Sequence, residues 1–209
     1  MSHILICGAM SSGKKYWKGL DAPLRVKIHW HQIRIKYRER NRRKIKNNME
    51  ETNDSIIIKI AETDEELCGR GYVHCTSWQE AYRGIVCDRY LDTMTVEATT
   101  ARARQFPENT LIAKDKEKVV GFTVYCPSRD EDLTDAGEVI AIYVLSEYYD
   151  RKIGYRLMNE AISRLKEYNT IFVWVLEKNE RAIRFYHRYG FEYDGCKKRW
   201  CDGTGGINQ

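Results

Sequence analysis

Apolar positions after about residue 55 follow two alternating periods, one typical of strands and the other of helices. Compact apolar runs, among them VIAIYVL and IFVWVL, predict buried strands. Between these two runs Leu157, Ala161 and Leu165 recur at helical spacing and predict a helix from about Ile153 to Tyr168. The predicted strands are, in chain order, SIIIKI, TLIAK, VVGFTVYC, VIAIYVL, IFVWVL and a short strand after Gly190.

Three further helices are indicated by capping residues as well as by periodicity. Thr63 can cap a helix over 63–82, and a second helix is predicted over 88–106. A third helix over 179–189 is closed by Gly190 in the helix-ending position. The resulting order, β-α-α-β-β-β-α-β-α-β, is typical of an α/β fold with a mostly buried central sheet.

The positive charge of the chain is confined to its first 48 residues. The formal net charge is +5, but residues 1–48 hold 13 Lys and Arg against 2 Asp and Glu, and the remainder holds 22 against 28. The basic run RERNRRKIK has no apolar periodicity to anchor it. We therefore expect a basic leader over residues 1–54, disordered or not part of the natural protein. A single domain over 55–209 is expected to fold as well without it.

Other patterns in the sequence are weaker. The segment GAMSSGK has P-loop spacing, but Lys15 stands where Ser or Thr must hold Mg²⁺. His29 and His31 lack a third metal ligand nearby. The seven cysteines have irregular spacing and no CxxC pair, which favours reduced thiols. Since there is also no signal-peptide pattern and no membrane-length apolar run, we expect a cytoplasmic protein.

Three segments carry the candidate chemistry: SWQEAYRGI, then GEVIAIYVLSEYYDRKIGYRLM, and finally IFVWVLEKN with ERAIRFYHRYGFEYDG. The last contains the pattern N-x-x-A-x-x-F-Y-x-x-x-G-F, which is the most specific of the three. Together they resemble the GNAT superfamily of N-acetyltransferases, over about residues 55–200. The resemblance implies a GNAT-like central mixed sheet flanked by helices, and transfer of an acetyl group from acetyl-CoA to a primary amine.

The resemblance places acetyl-CoA, as co-substrate, at the splay between VIAIYVL and IFVWVL. A strand that runs into a helix start presents backbone N–H groups and the positive end of the helix dipole to a pyrophosphate. The family's turn usually reads Gln/Arg-x-x-Gly-x-Gly/Ala, and of Tyr149, Lys152 and Gly154 only the last keeps its type. The implied cofactor-binding residues are Ile142, Tyr143, Val144, Tyr149, Arg151, Lys152, Ile153, Gly154, Tyr155 and Asn179.

Two residues are candidates for proton transfer by the same resemblance. Glu138 stands where the family often has a carboxylate base, although a solvated glutamate at a strand end would look the same. Tyr186 matches the family's tyrosine that faces the CoA sulfur, although it is also compatible with a core aromatic position. Asn179 matches a residue that binds the pantetheine arm, and it can serve as a helix N-cap at the same time.

The amine acceptor is implied only as a class, either a small molecule or a protein. By resemblance Trp78, Tyr82 and Arg83 line the acceptor pocket, with core packing as the alternative for the two aromatic residues. The negative main domain favours a cationic acceptor. Two alternative functions stay open, namely a non-catalytic acyl-CoA sensor and, less favoured, a nucleic-acid-binding protein that uses the basic leader.

The C-terminal segment differs from the family pattern. GNAT domains usually close with a hairpin of two strands, but residues 202–209 are turn-formers with almost no β-branched content. We therefore expect the last strand to be truncated or absent, with Trp200 partly exposed and an unpaired sheet edge. Such an edge favours self-association, possible here as a homodimer.

Overall fold

The structure is a computed structural model that describes residues 23–29 and 55–197 of the chain. The strands of the described part are β1 (Pro23–His29), β2 (Ile56–Ile60), β3 (Thr110–Asp115), β4 (Lys118–Pro127), β5 (Ala136–Val144), β6 (Thr170–Leu176) and β7 (Glu192–Lys197). The helices are α1 (Asp64–Tyr82), α2 (Asp88–Leu91), α3 (Val96–Gln105), α4 (Ile153–Arg164) and α5 (Glu180–Tyr189), with a short 3₁₀ turn at Ser146–Tyr148. The predicted α/β class is confirmed, and the order of elements after residue 55 is as predicted except in the segment 88–106.

The helix ends show why these segments are helical. Thr63 and Glu66 form a capping box at the start of α1, which satisfies backbone N–H groups that the helix itself leaves open. The predicted helix over 88–106 is instead two helices, because Thr95 caps a new start and accepts a hydrogen bond from the Ala98 N–H. Gly190 ends α5 in a left-handed conformation, as predicted.

The seven described strands form one sheet in the order β2-β3-β4-β5-β6-β1-β7. Among them β5 and β6 run parallel, and the other neighbours are antiparallel. The parallel pairing covers three positions, from Ala136 opposite Thr170 to Glu138 opposite Phe172. Beyond these positions β5 continues to Val144 and β6 to Leu176 without pairing to each other, so the sheet opens between these two strands at their carboxyl ends.

Side chains of β5 alternate between two apolar layers, as the period of a strand requires. Ile142 and Val144 join the cluster formed with α4 and α5. Ala141 and Tyr143 join the cluster formed with α1 and α2. The opening between β5 and β6 is therefore the place where groups from the two faces of the sheet can meet.

Strand β1 lies inside the region predicted to be a leader. It pairs antiparallel with β6 over Pro23–His29 and with β7 at three positions. A domain that begins at residue 55 therefore leaves out an internal strand of the sheet. The P-loop-like segment, His31, the basic run, and the tail from residue 198 with Trp200 lie outside the described residues.

Among residues 23–29 and 55–197, no helix combines the length and the apolar character that a membrane crossing requires.

Candidate active site

A cavity of about 570 Å³ opens at the start of α4, next to the carboxyl end of β5. Lys152 precedes α4 with a left-handed backbone (φ 58°) and offers no side-chain cap. The first N–H groups of any helix lack an intrahelical acceptor, and at α4 the N-cap side chain does not supply one either. These groups carry the positive end of the helix dipole. The cavity, called the basic cavity below, is lined by Val144, Tyr148, Tyr149, Asp150, Lys152, Ile153, Gly154, Tyr155, Arg181, Arg184, Phe185 and Arg188.

Three arginines of α5 line the basic cavity, and none of them is among the site residues predicted from the sequence. The guanidinium of Arg181 lies 3.9 Å from the ring centroid of Tyr149, and its buried Nε atom has no hydrogen-bond partner. Arg184 pairs with Glu180 at 2.9 Å. Arg188 completes a basic stripe with spacings of three and four residues, and this helical spacing was the signal available in the sequence.

The predicted cofactor residues divide into two groups. Val144, Tyr149 and the 152–155 segment line the basic cavity. Arg151 instead points to β3, where its Nη1 lies 3.3 Å from Asp115 Oδ2, and it is not among the lining residues. Ile142 packs in the core, so that only its backbone is available at the strand edge.

A second group of residues, called the hydroxyl cluster below, consists of Tyr82, Tyr143, Tyr186 and Asn179. All four are at most 4% exposed. The Tyr143 hydroxyl accepts a hydrogen bond from Trp78 Nε1 at 2.9 Å. Asn179 caps α5 by accepting from the Ala182 N–H at 3.1 Å. The cluster joins α1, β5 and α5 across the opening in the sheet.

The Tyr186 hydroxyl of this cluster is buried without a partner in hydrogen-bonding geometry. The Tyr82 hydroxyl is equally buried and interacts with Tyr143 and Asn179. An unsatisfied buried hydroxyl typically costs about 1–3 kcal/mol. Burial, reinforced by the neighbouring Tyr143, raises the pKa of Tyr186 well above its ordinary value. The same two causes raise the pKa of Tyr82. Both groups therefore hold their protons at neutral pH.

Glu138 lies at the last paired position before β5 and β6 part, and it is 2% exposed. Both carboxylate oxygens accept hydrogen bonds from Arg129, at 2.9 Å from Nε and 2.6 Å from Nη2. The side chain of Arg129 is 37% exposed, so its end borders solvent. The predicted base is thus a buried ion-pair partner in the free protein, not a solvated glutamate at a strand end.

The predicted acceptor residues are not gathered in one pocket. Trp78 and Tyr82 are buried in the core beside Tyr143, and their ring centroids are 4.7 Å apart. Arg83 is exposed at the end of α1, where it contacts Gln79 and Asp88. A smaller cavity of about 260 Å³ lies between α1 and α5, lined by Glu80, Ala81, Ile85, Lys178, Asn179, Glu180 and Arg181.

Within residues 23–29 and 55–197, no group of three or more His, Cys, Asp or Glu side chains is placed to hold a metal ion.

Residues 73–191 match the acetyltransferase (GNAT) family. The chain belongs to the GNAT family. As a member it is an N-acetyltransferase, in agreement with the curated relatives below. The family match and the mixed sheet together confirm the resemblance that the three sequence segments indicated.

Individual relatives agree with this assignment. An uncharacterized N-acetyltransferase of Bacillus subtilis (strain 168), YuaI, is 31% identical over 132 residues, which cover 61% of this chain and 76% of the relative. The spermine/spermidine N(1)-acetyltransferase of the same organism is 31% identical over 83 residues, 37% of this chain and 55% of the relative.

The GNAT fold also recurs among solved structures. The PaiA N-acetyltransferase of Thermoplasma acidophilum, in complex with coenzyme A, has a TM-score of 0.52 and 22% identity, covering 68% of this chain and 94% of the other. At this identity the likeness supports the fold.

Proposed function

We propose that this GNAT protein transfers the acetyl group of acetyl-CoA to a primary amine, by direct attack of the amine on the thioester in a ternary complex. The observation that carries the proposal is the Tyr186 hydroxyl, buried and unpartnered where β5 and β6 part. A buried hydroxyl that has no partner in the free protein is explained if a substrate supplies that partner.

The residues around the opening fit acetyl-CoA. The basic cavity supplies the start of α4 and the cations Lys152, Arg181, Arg184 and Arg188 for the phosphates. Among the described strands, none pairs with the edge of β5 at 142–144 on the β6 side, so the backbone there can pair with the pantetheine amides. Asn179 is the proposed side-chain contact to the same arm.

Tyr186 is proposed as the general acid. When the amine nitrogen bonds to the acyl carbon, the carbon–sulfur bond breaks and the sulfur leaves as a thiolate. The thiolate takes the phenolic proton of Tyr186, which burial keeps on the oxygen until that moment. The tyrosinate then regains a proton from solvent after product release.

Glu138 is proposed as the base that removes the proton from the acceptor ammonium, directly or through a water molecule. A typical amine has a pKa of about 10, so it needs a base before it can attack. The Arg129 side chain borders solvent, and an arriving ammonium can displace it from Glu138. Glu138→Gln should then lower kcat while Arg129→Lys changes it much less.

A cationic amine is the proposed acceptor class. Glu80 and Glu180 line the smaller cavity beside Asn179, and a second ammonium of a polyamine could pair with them. The spermine/spermidine N(1)-acetyltransferase, which aligns with 37% of this chain, also supports a polyamine as the acceptor. Spermine and spermidine therefore head the panel of amines to be tested.

The test is release of the CoA thiol from acetyl-CoA in the presence of an amine panel, compared between the unsubstituted protein and Tyr186→Phe. Amine-dependent release that the substitution suppresses supports the proposal. A non-catalytic acyl-CoA sensor is the second candidate, favoured by Lys152 in a left-handed conformation where the family usually has glycine. Binding of acetyl-CoA without release for any amine would select the sensor.

A further inference from the structure

The sheet contains a gap that the surrounding elements create and β1 fills. Strands β6 and β7 are consecutive in the chain apart from α5, yet they are not neighbours in the sheet. One strand position separates them, and β1 occupies it. Without β1 the facing edges of β6 and β7 would present unpaired backbone N–H and C=O groups, which folded proteins avoid.

The polar face of β1 is held by one buried arginine. Arg25 is 5% exposed. Its Nε donates to Asp194 Oδ2 at 2.7 Å and its Nη1 donates to Asp132 Oδ2 at 2.9 Å. The guanidinium also lies over the rings of Phe172 and Trp174, at 5.8 Å and 5.6 Å from their centroids. We call the four residues around the guanidinium, Asp132, Asp194, Phe172 and Trp174, the Arg25 socket.

The Arg25 socket depends on β1 for its charge balance. The Asp194 side chain is only 1% exposed, and a carboxylate removed from water is costly unless a cation and hydrogen bonds compensate it. On the opposite face of β1, Val26 and Ile28 are buried in the core formed with α4 and α5. Strand β1 is thus recognised on both faces and along both edges.

The position of β1 links it to the opening between β5 and β6. Residues Pro23, Leu24, Arg25 and Val26 are paired with the β6 stretch 173–176. This is the stretch that has parted from β5, so β1 is its strand neighbour in the described sheet. The pairing fixes one wall of the opening from the outside.

We propose that the gap between β6 and β7 is a strand-binding site whose ligand is residues 23–29 of the same chain, selected by the Arg25 socket, and that its occupancy keeps β6 in position for acetyl-CoA. The last clause rests on the proposed function, whereas the first does not. Arg25 is then a positioning residue for the cofactor site, although it lies outside the family-matched residues 73–191.

The test uses the full chain with a protease recognition sequence inserted within residues 30–54, cleaved after purification. The N-terminal fragment should stay with the remainder in gel filtration without acetyl-CoA, and affinity for acetyl-CoA should stay within about threefold. With Arg25→Glu the fragment should separate on cleavage, and acetyl-CoA affinity should fall at least about tenfold, because only molecules that keep β6 in position can bind the ligand. His29→Gln, at the exposed end of the same strand, is the matched control and should retain the fragment.

A synthetic peptide of residues 21–30, added to the cleaved Arg25→Glu protein, should restore acetyl-CoA binding, and the same peptide carrying Arg25→Glu should not. Separation of the unsubstituted fragment, with the melting temperature of the remainder unchanged, would overturn the proposal, as would retention of the Arg25→Glu fragment. A fragment that is retained in a protein that binds no acetyl-CoA would refute the proposed function and leave the strand-binding site standing.

Discussion

The two ends of the opening between β5 and β6 differ in charge and in contact with water. The basic cavity is open to solvent and carries four cationic side chains against one lining carboxylate, Asp150. The hydroxyl cluster is almost fully buried and carries no formal charge. One end is suited to hold anionic phosphates, and the other to hold a proton in an apolar environment.

The difference shows why binding and chemistry can be separated in this fold. Exposed cations gain attraction for an anion and lose it as salt is added. A buried hydroxyl gains little binding energy from charge, but it is protonated at neutral pH, since the pKa of tyrosine is ordinarily about 10 and burial raises it further. Substitutions at the two ends should therefore change different kinetic constants.

The largest effect is expected from Tyr186→Phe in the hydroxyl cluster. Loss of a general acid typically lowers kcat by about 10²–10⁴-fold. The dissociation constant for acetyl-CoA should change by less than about threefold, because the thioester sulfur is a weak hydrogen-bond acceptor and the ring that packs against Phe191 remains. Steady-state kinetics and calorimetry measure the two quantities.

The control for that variant is Tyr189→Phe on the same helix, whose hydroxyl bonds to Asn159 instead. It should keep kcat near the unsubstituted value. Equal turnover in both variants would remove Tyr186 from the mechanism and assign it to packing.

A second effect is expected at the basic cavity. Arg184→Ala combined with Arg188→Ala should weaken acetyl-CoA binding by about 10- to 100-fold, since a hydrogen bond to a charged group contributes roughly 1.5–3 kcal/mol. At saturating acetyl-CoA, kcat should be nearly unchanged. Arg83→Ala removes an exposed arginine outside the cavity and should leave acetyl-CoA affinity unchanged. If Arg83→Ala weakened acetyl-CoA binding more than the double variant did, the basic cavity would not be the phosphate site.

A third prediction concerns the pH dependence of the unfolding free energy, to which His74, packed against the hydroxyl cluster, contributes. His74 stacks on Tyr143, with ring centroids 5.5 Å apart. Burial, with added repulsion from Arg70 and Arg102, lowers the pKa of His74 to about 3. The unfolded chain takes up this proton below about pH 6.5 and the native protein does not, so this contribution to stability is full above pH 6.5 and declines as the pH falls.

The expected size follows from the slope of about 1.4 kcal/mol per pH unit for one proton. Between pH 7 and pH 5 the protein should lose about 2 kcal/mol of unfolding free energy more than His74→Phe does. Denaturant unfolding at the two pH values measures this difference. A His74→Phe protein with the full acid sensitivity would refute the prediction.

The smallest effect is expected from Lys152→Gly. A side chain in the left-handed region destabilises the native state by about 1–2 kcal/mol, and glycine avoids this cost. Glycine in turn lowers stability by about 0.5–1 kcal/mol, because its unfolded state has a larger conformational entropy. The unfolding free energy should therefore rise by no more than about 1 kcal/mol. Lys166→Gly, an exposed position without a left-handed backbone, should lower it, and a loss at both positions would show that Lys152 is not strained.

The sequence predicted most elements after residue 55 because their signals are local. Asn179 and Gly190 bound α5 through caps that involve residues only a few positions away. Strand β1 was missed although Leu24, Val26 and Ile28 alternate with polar residues, the period of a strand. The net charge of the surrounding segment hid this pattern, since Arg25 is balanced by carboxylates more than 100 residues away.

In the candidate site, the sequence predicted residues that belong to a local motif but not the directions and partners of their side chains. Tyr186 follows from a compact motif, but whether its hydroxyl has a partner depends on Tyr143 and on the course of β6. Arg151 lies next to Lys152 in sequence and was expected in the cavity, yet the left-handed backbone at 150 and 152 turns its side chain toward Asp115. Such directions are set by tertiary packing and not by residue type.

The most direct test of the account is the melting temperature of the full chain as a function of acetyl-CoA concentration. A ligand that binds only the native state stabilises it by mass action, by about 2.7 kcal/mol at one hundred times its dissociation constant. We predict a rise that grows with the logarithm of acetyl-CoA concentration and is reduced in the Arg184→Ala, Arg188→Ala protein but not in Tyr186→Phe. An unchanged melting temperature at millimolar acetyl-CoA would contradict the assignment of the opening between β5 and β6 as the cofactor site.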